Sequence, residues 1–534
     1  MGYSKGIRGQ KYTKSLVANI SDLGGLGLIY LSGNDLTIAE IERIIKDREQ
    51  VTLSKQAEKD IFKSRELIDE IAEQEEIVYG VTTGFGKFSD TVISRENLRE
   101  LQENLILSHA AGVGEPFLEE ISRGMMLFRA NSLAKGQSGI RLETVRLLIE
   151  LLNNEIHPVI PSQGSLGASG DLAPLAHMVL VMIGRGEAYY RGKRLPGSEA
   201  LSQVNLTPVE LEAKEGLALI NGTQAIASVG TLTWLGAKNL LKAADICAAA
   251  TIDALEGITD AFDERIYKLR PHPGHGKTAY NLRKMLNDSE IIANRINQRV
   301  QDAYTLRCVP QIHGASKDAY EHVGEILQRE INSTTDNPLI FSEDKEVISG
   351  GNFHGQPLAL PMDYMSTAIS ELANVSERRV ERLVNPNLNF DLPPFLIQNG
   401  GVSSGFMIAQ YTAASLVSEN KGLAHPASVD SIPSSANQED HVSMGTIAAR
   451  KAHTILVNSE KVLAIELLCA CQALDFRSPR RSGSAAKAAH DLVRGSVPYS
   501  NSDRELSKDI EKVVEIIKSG KLVETVESVV GGLE

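Results

Sequence analysis

Apolar residues return at helical spacing along most of this 534-residue chain. Between residues 35 and 80, Ile38, Ile41, Ile44 and Ile45, then Ile61, Leu67 and Ile71, recur among charged positions, which predicts helix there. Residues 94–110 place Leu98, Leu101 and Leu105 on one stripe, with Gly112 as the expected C-terminal cap. Residues 225–260 are rich in Ala and Leu with few breakers, the pattern of a buried helix. From Asp363 to Val384, Ile369, Leu372, Val380 and Leu383 mark one face. From Thr446 to Ser478 neither glycine nor proline interrupts the chain, and Ile455, Val462 and Cys469 are spaced by sevens beside Leu456, Leu463 and Ala470. That spacing belongs to long, nearly parallel packed helices, hence a bundle. After about residue 480 the periodicity predicts smaller amphipathic helices. The expected fold class is therefore all-α: a long central helix bundle with a smaller, loop-rich N-terminal region. Four regions are expected: a basic tail over 1–30, the N-terminal region over 31–225, the bundle over 226–480 and small helices over 481–534.

Composition narrows the function classes. Hydrophobic residues make up 42% and charged residues 23%, ordinary for a soluble globular protein. The net charge of −13 argues against nucleic-acid binding, which needs a surplus of Lys and Arg against phosphate. Four cysteines, at 247, 308, 469 and 471, form no disulfide framework and point to a reducing, cytoplasmic setting. The tail carries Lys5, Arg8, Lys11 and Lys14 before any acid, without the apolar run of a signal peptide. Met1-Gly2 opens like a myristoylation site, but Gly6 stands where Ser or Thr is needed. No window reaches the apolar length of a transmembrane helix, so no membrane role is expected.

The most unusual stretch is Pro161–Met178, reading PSQGSLGASGDLAPLAHM. Small residues crowded this densely let the backbone bend where a Cβ would forbid it. One such bend brings the Gly170 amide nitrogen against the Ala168 carbonyl carbon. Ring closure with loss of water gives a five-membered imidazolone, and loss of the Ser169 hydroxyl as a second water leaves an exocyclic methylene. That product is a strong electrophile made from the chain itself. Plainer readings stand beside it. Asp171 can N-cap a helix with Pro174 in its first turn, and a Gly-rich loop before a helix can hold a phosphate. The stretch is neither the Gly-x-Ser-x-Gly elbow, because Asp171 replaces the last glycine, nor a P-loop, because Gly-Lys-Ser/Thr is missing.

Other motifs say little alone. Tyr79-Gly-Val-Thr-Thr-Gly reads as a surface turn, and His109 near a helix end reads as a capping or core residue. Asn221-Gly222 fits a hairpin turn. His272 and His275 lie in a Pro/Gly-rich loop without acid or thiol partners, so no metal site is expected. Residues 332–338 and 350–357 are loop-like, and Glu439 sits in a polar loop between the two long helices.

Taken together, GSLGASGDLAPLAH and these motifs, in order from about Leu31 to Leu522, resemble the aromatic amino acid ammonia-lyases and aminomutases. The resemblance implies a methylidene-imidazolone (MIO) group formed from Ala168, Ser169 and Gly170, and no diffusible cofactor. It makes Tyr79 the catalytic tyrosine that covers the substrate, and places His109 in the active site, where Ser-His is the pairing of members acting on histidine and of some tyrosine aminomutases. Asn221 sits beside the MIO group. Arg307 is implied to clamp the substrate carboxylate in a fork that lysine cannot reproduce. Gln301 and Tyr304 belong to the same polar shell, and Phe353 packs near the ring. The Glu439 position reads the substrate side chain: members acting on histidine carry Glu, whereas those acting on phenylalanine or tyrosine tend to carry Gln. A carboxylate accepts a hydrogen bond from imidazole, but beside a bare phenyl ring it is buried without a partner.

The resemblance thus implies elimination of ammonia from L-histidine to give trans-urocanate, the first step of histidine degradation. Tyr79 is the expected base, with His109 and Glu439 as supporting proton carriers. A positioned base contributes typically ~10²–10⁴-fold, while enzymes commonly reach at least ~10⁶-fold, and an electrophile fills that gap. The resemblance also implies a homotetramer with active sites shared between subunits. The alternatives are a tyrosine or phenylalanine lyase or aminomutase, an inactive helical scaffold, and a fumarase-type helical lyase without the electrophile.

Overall fold

The computed structural model describes residues 27–534 except 75, 85, 89, 297 and 298. The first 26 residues of the expected basic tail lie outside the described residues.

Five long helices build the bundle: Gln224–Ala254, Val309–Glu330, Gln356–Val384, Met407–Leu423 and Gly445–Phe476. Helix Gly445–Phe476 is the axis, packed along Gln356–Val384 on one side and Gln224–Ala254 on another. Its residues spaced by sevens point inward: Ile455, Val462 and Cys469 are fully buried, and Leu456, Leu463 and Ala470 lie beside them. Facing them is the run Ala243, Ala244, Ile246 to Ala250 of helix Gln224–Ala254, also buried. Small side chains there let two long helices approach closely, while the larger ones interlock. Removing each such aliphatic side chain from water contributes roughly 1.5–3 kcal/mol for a Leu or Ile.

The buried charged groups at the centre of the bundle are paired. The guanidinium of Arg379 binds Glu466 through two hydrogen bonds, Nε to Oε1 at 2.5 Å and Nη2 to Oε2 at 2.9 Å. Asp245 faces His313 at 2.7 Å and Lys317 at 2.8 Å. Burial alone raises a carboxyl pKa, but the Lys317 ammonium and the His313 hydrogen bond outweigh it and hold Asp245 at about 2.

The N-terminal region differs from the expectation. Residues 35–80 are not one helical stretch: helix Ile38–Lys46 and helix Lys55–Gln74 flank the strand Gln50–Leu53. That strand pairs in parallel with Leu28–Leu31, which begins inside the segment expected as tail. Val51 and Leu53 point inward while Gln50 and Thr52 do not, a two-residue alternation hidden between two helical patterns. Helix Ile38–Lys46 opens with a capping box, Thr37 bonding the Glu40 N–H and Glu40 bonding back. Gly112 does not cap helix Leu98–His109; its N–H donates instead to His177 Nε2 at 3.1 Å. Residues 271–275 are not a simple loop either, because Pro273 starts helix Pro273–Leu286 and His275 is buried in its first turn. Among the described residues, the remaining strands form two- and three-stranded ribbons. Helices Ser484–Arg494, Leu506–Lys518 and Lys521–Val530 close the chain against the bundle.

Candidate active site

The Gly-rich loop 164–171 is held from three directions. On one side, Leu166 and Gly167 accept backbone hydrogen bonds from Met444 at 2.9 Å and Ser443 at 3.2 Å, just ahead of helix Gly445–Phe476. On the second, Ala168 packs with Val442 and Met444. On the third, Gly170 forms a parallel bridge with Gly222, and the Asp171 N–H donates to the Gly222 carbonyl at 2.7 Å. Asn221-Gly222 is therefore no hairpin turn but the surface on which the loop rests. Asp171 stands at the N-cap position of helix Leu172–Met182, yet its carboxylate makes no capping bond there. It accepts instead from the Ile226 N–H at 2.8 Å, and so caps the long helix Gln224–Ala254 from a distance, and from Thr446 and Ser165.

Gly170 adopts φ +73°, and a Cβ there would land on the Gly222 backbone. A side chain at this position would be both strained and blocked. Ser169 Oγ donates to Asn221 Oδ1 at 3.0 Å. The tight turn at Gly170, the small neighbours Ala168 and Gly167, and the held serine hydroxyl are what ring closure between residues 168 and 170 requires, so the loop fits the MIO group.

Ser169 opens onto a cavity of about 740 Å³. Of the residues singled out in the sequence, Tyr79, His109, Phe353 and Glu439 line the same cavity, together with Leu105, Leu172, Leu217 and Asn337. Asn221 lies just behind Ser169. His109 ends helix Leu98–His109, and its Nδ1 sits 2.8 Å from the Leu105 carbonyl. That partner assigns the proton to Nδ1 and leaves the Nε2 lone pair free. Burial pushes the His109 pKa down, against the Leu105 bond and nearby Glu439, so its imidazole is neutral at pH 7. Burial pushes the Tyr79 phenol up; a backbone hydrogen bond from Gly86 opposes this, and Glu439 adds to it.

Glu439 is placed by a turn of unusual shape. Ser435, Ala436 and Asn437 all have positive φ, from +50° to +67°, and Ser434 bridges back to Glu439. Ser434 Oγ donates to Glu439 Oε2 at 2.7 Å. Non-glycine residues in this region cost energy, and such strain clusters at functional sites. Ser434 and Asn337 were missed in the sequence: their roles rest on long-range placement that no local pattern encodes.

Gln301, Tyr304 and Arg307 do not line this cavity within the chain. They sit around the short helix Tyr304–Arg307, where Tyr304 is 69% exposed and the Arg307 guanidinium lies 4.7 Å from the Tyr304 ring centre. Arg307 Nε is buried without a hydrogen-bond partner among the described residues. Among those residues no cluster of three His, Cys, Asp or Glu is arranged to hold a metal ion.

The fold and the loop define a class. A family profile described as aromatic amino acid lyase matches residues 36–495, and the chain belongs to that family of carbon–nitrogen lyases. It is 74% identical over 507 residues to the histidine ammonia-lyase of Natranaerobius thermophilus, covering 95% of this chain and all of the relative. The crystal structure of the Trypanosoma cruzi histidine ammonia-lyase superposes with a TM-score of 0.87 at 42% identity, covering 94% of this chain and 96% of that one. The tyrosine aminomutase from Streptomyces globisporus superposes with a TM-score of 0.89 at 38% identity, over 94% and 99% of the chains. No helix among the described residues is long and apolar enough to cross a membrane.

Proposed function

We propose that this protein is a histidine ammonia-lyase, converting L-histidine to trans-urocanate and ammonia. The observation that carries the reading is the convergence of Ser169, Tyr79, His109, Phe353 and Glu439 on one cavity. The 74% identity to a named histidine ammonia-lyase supports it. Glu439, rather than Gln, favours an imidazole over a phenyl or phenol side chain.

The MIO group, formed from Ala168, Ser169 and Gly170, would supply an electrophilic methylene that takes the substrate amine and makes it a better leaving group. The chain's own residues supply the rest. Glu439 accepts a hydrogen bond from the substrate imidazole and fixes its plane, with Ser434 holding the carboxylate. Tyr79 takes the β-hydrogen at its phenolic oxygen, and the Gly86 N–H stabilises the phenolate form. His109 offers the neutral Nε2 as a second proton acceptor. Phe353, with Leu105, Leu172 and Leu217, gives the cavity apolar walls that exclude water.

Arg307 clamps the substrate carboxylate, with Tyr304 and Gln301 beside it. Because these three lie around helix Tyr304–Arg307 and outside the cavity lining of their own chain, the reading includes a homotetramer in which a neighbouring subunit supplies them. The fully exposed Val300 and the unpartnered Arg307 Nε fit a turn covered by another copy. The four free thiols fit a reducing cytoplasm. Mass analysis of the loop peptide tests the chemistry: a mass lower by two waters supports the reading, and full mass supports an inactive scaffold.

A further inference from the structure

Beneath the cyclising loop, three layers of chain are stacked without room for one added carbon. Gly170 rests on Gly222, and a Cβ on Gly222 would in turn land on the guanidinium of Arg129, the Gln224 amide oxygen and the Thr335 carbonyl. Arg129 belongs to helix Glu119–Leu133 and is fully buried. Its Nη1 donates to the Asn221 carbonyl at 2.9 Å, to Gln224 Oε1 at 3.0 Å and to the Thr335 carbonyl at 3.4 Å.

The charge balance around it is uneven. The nearest carboxylate oxygen, Asp336 Oδ2, is 4.0 Å from Nη2 and is already bound by Lys214 at 3.0 Å. Two fully buried cations thus face one carboxylate, whose other oxygen accepts the Asn337 N–H at 2.7 Å. Arg129 Nε and Nη2 have no hydrogen-bond partner among the described residues. A buried guanidinium so poorly compensated is expensive for stability, and an apolar side chain of similar volume would fill the space at lower cost. Burial lowers its pKa only to about 10, so it remains a cation at neutral pH. Through the Asn221 carbonyl the guanidinium holds the peptide that joins Asn221 to Gly222, the two residues that touch Ser169 and Gly170.

We propose that Arg129 is a positioning residue for making the electrophile: it fixes Asn221-Gly222 as the floor that presses Gly170 toward Ala168 and aims Asn221 at Ser169. This rests on the ring-forming reading of residues 168–170. In that reaction the Gly170 nitrogen bonds to the Ala168 carbonyl carbon. The carbonyl oxygen leaves as water with the Gly170 and Ser169 amide protons, and the Ser169 hydroxyl leaves as a second water with the Cα hydrogen. No oxidant or co-reactant is needed; the requirement is geometry.

The test compares the full-length chain with Arg129→Met and Arg129→Lys, weighing the loop peptide after proteolysis and following its mass with time during cell-free synthesis. Circular dichroism and thermal unfolding report folding separately. The expected result is a parent peptide lighter by two waters and an Arg129→Met protein that is folded but cyclised to a fraction roughly tenfold lower, the scale of one charged hydrogen bond lost. Arg129→Lys keeps the charge but not the fork, so partial and slower cyclisation is expected, with residual activity tracking the cyclised fraction and KM unchanged. If Arg129→Met fails to fold, Arg129→Lys decides. Cyclisation of the folded variants at the parent rate and extent overturns the inference while leaving the ring itself in place. A parent peptide of full mass overturns the ring-forming reading, and this inference with it.

Discussion

Ser169 and Asn221, 52 positions apart in the chain, meet through a single hydrogen bond of 3.0 Å from Oγ to Oδ1. The orientation of the Asn221 amide is not free, because its Nδ2 donates to the Asn337 carbonyl at 3.0 Å. The oxygen therefore faces the serine; in the proposed ring closure it would steer the hydroxyl beforehand and stay beside the reacting group afterwards.

Asn221→Ala removes that oriented amide. We expect kcat to fall by about 10²–10³-fold, the usual scale for one preorganised polar group in an active site, with KM little changed. Steady-state kinetics, normalised to the cyclised fraction seen by mass spectrometry, check this. A change confined to KM contradicts it.

Glu439→Gln tests the substrate contact. Loss of a charge-assisted hydrogen bond of about 1.5–3 kcal/mol lowers kcat/KM for histidine by roughly 10–150-fold. Rates with phenylalanine are expected to hold or rise, because the neutral amide is cheaper to desolvate beside a phenyl ring. Parallel assays on both amino acids measure the ratio.

The pH dependence follows from opposite displacements. His109 titrates below its ordinary value and Tyr79 above its own, so near neutrality both are uncharged. With Tyr79 as base, kcat/KM rises as pH increases toward the tyrosine range. Tyr79→Phe is expected to lower the rate and to abolish that rise. A preserved alkaline rise in Tyr79→Phe assigns the base elsewhere.

Much of the bundle was legible because its signal is local. The sevens in 455, 462 and 469 are set by one helix meeting another along its length, and all three are buried as that spacing requires. The strand Gln50–Leu53 was not, since four residues of two-fold alternation are lost between helical runs on either side. The signature around Ser169 pointed to the loop but misjudged its supports. Asp171 caps a helix that begins more than fifty residues later, and Gly222 serves as a floor for Gly170. Such contacts join segments whose sequences give no hint of each other. Ser434, Asn337 and Arg129 were invisible for the same reason. Arg307 was readable as a carboxylate clamp only through resemblance, and the cavity lining of its own chain does not include it.

Stability carries its own pH signature. Glu460, 7% exposed on helix Gly445–Phe476, is pushed up to about 7 by burial, against the pull of Lys518. The folded state thus holds a proton that the unfolded chain releases above pH 4.5, so stability is lost as pH rises toward and through 7. At 1.36 kcal/mol per unit the cost at pH 8 is about 3 kcal/mol. Glu460→Gln is expected to stabilise the protein by up to that amount at pH 8 and by little at pH 4.5. Urea unfolding at the two pH values measures the difference, and equal effects at both contradict it.

The central claim is tested most directly by incubating the purified enzyme with L-histidine, L-tyrosine and L-phenylalanine and following product by ultraviolet absorbance and chromatography. The account predicts trans-urocanate and an equal amount of ammonia from histidine alone. Cinnamate, coumarate or a β-amino acid as the main product would contradict it.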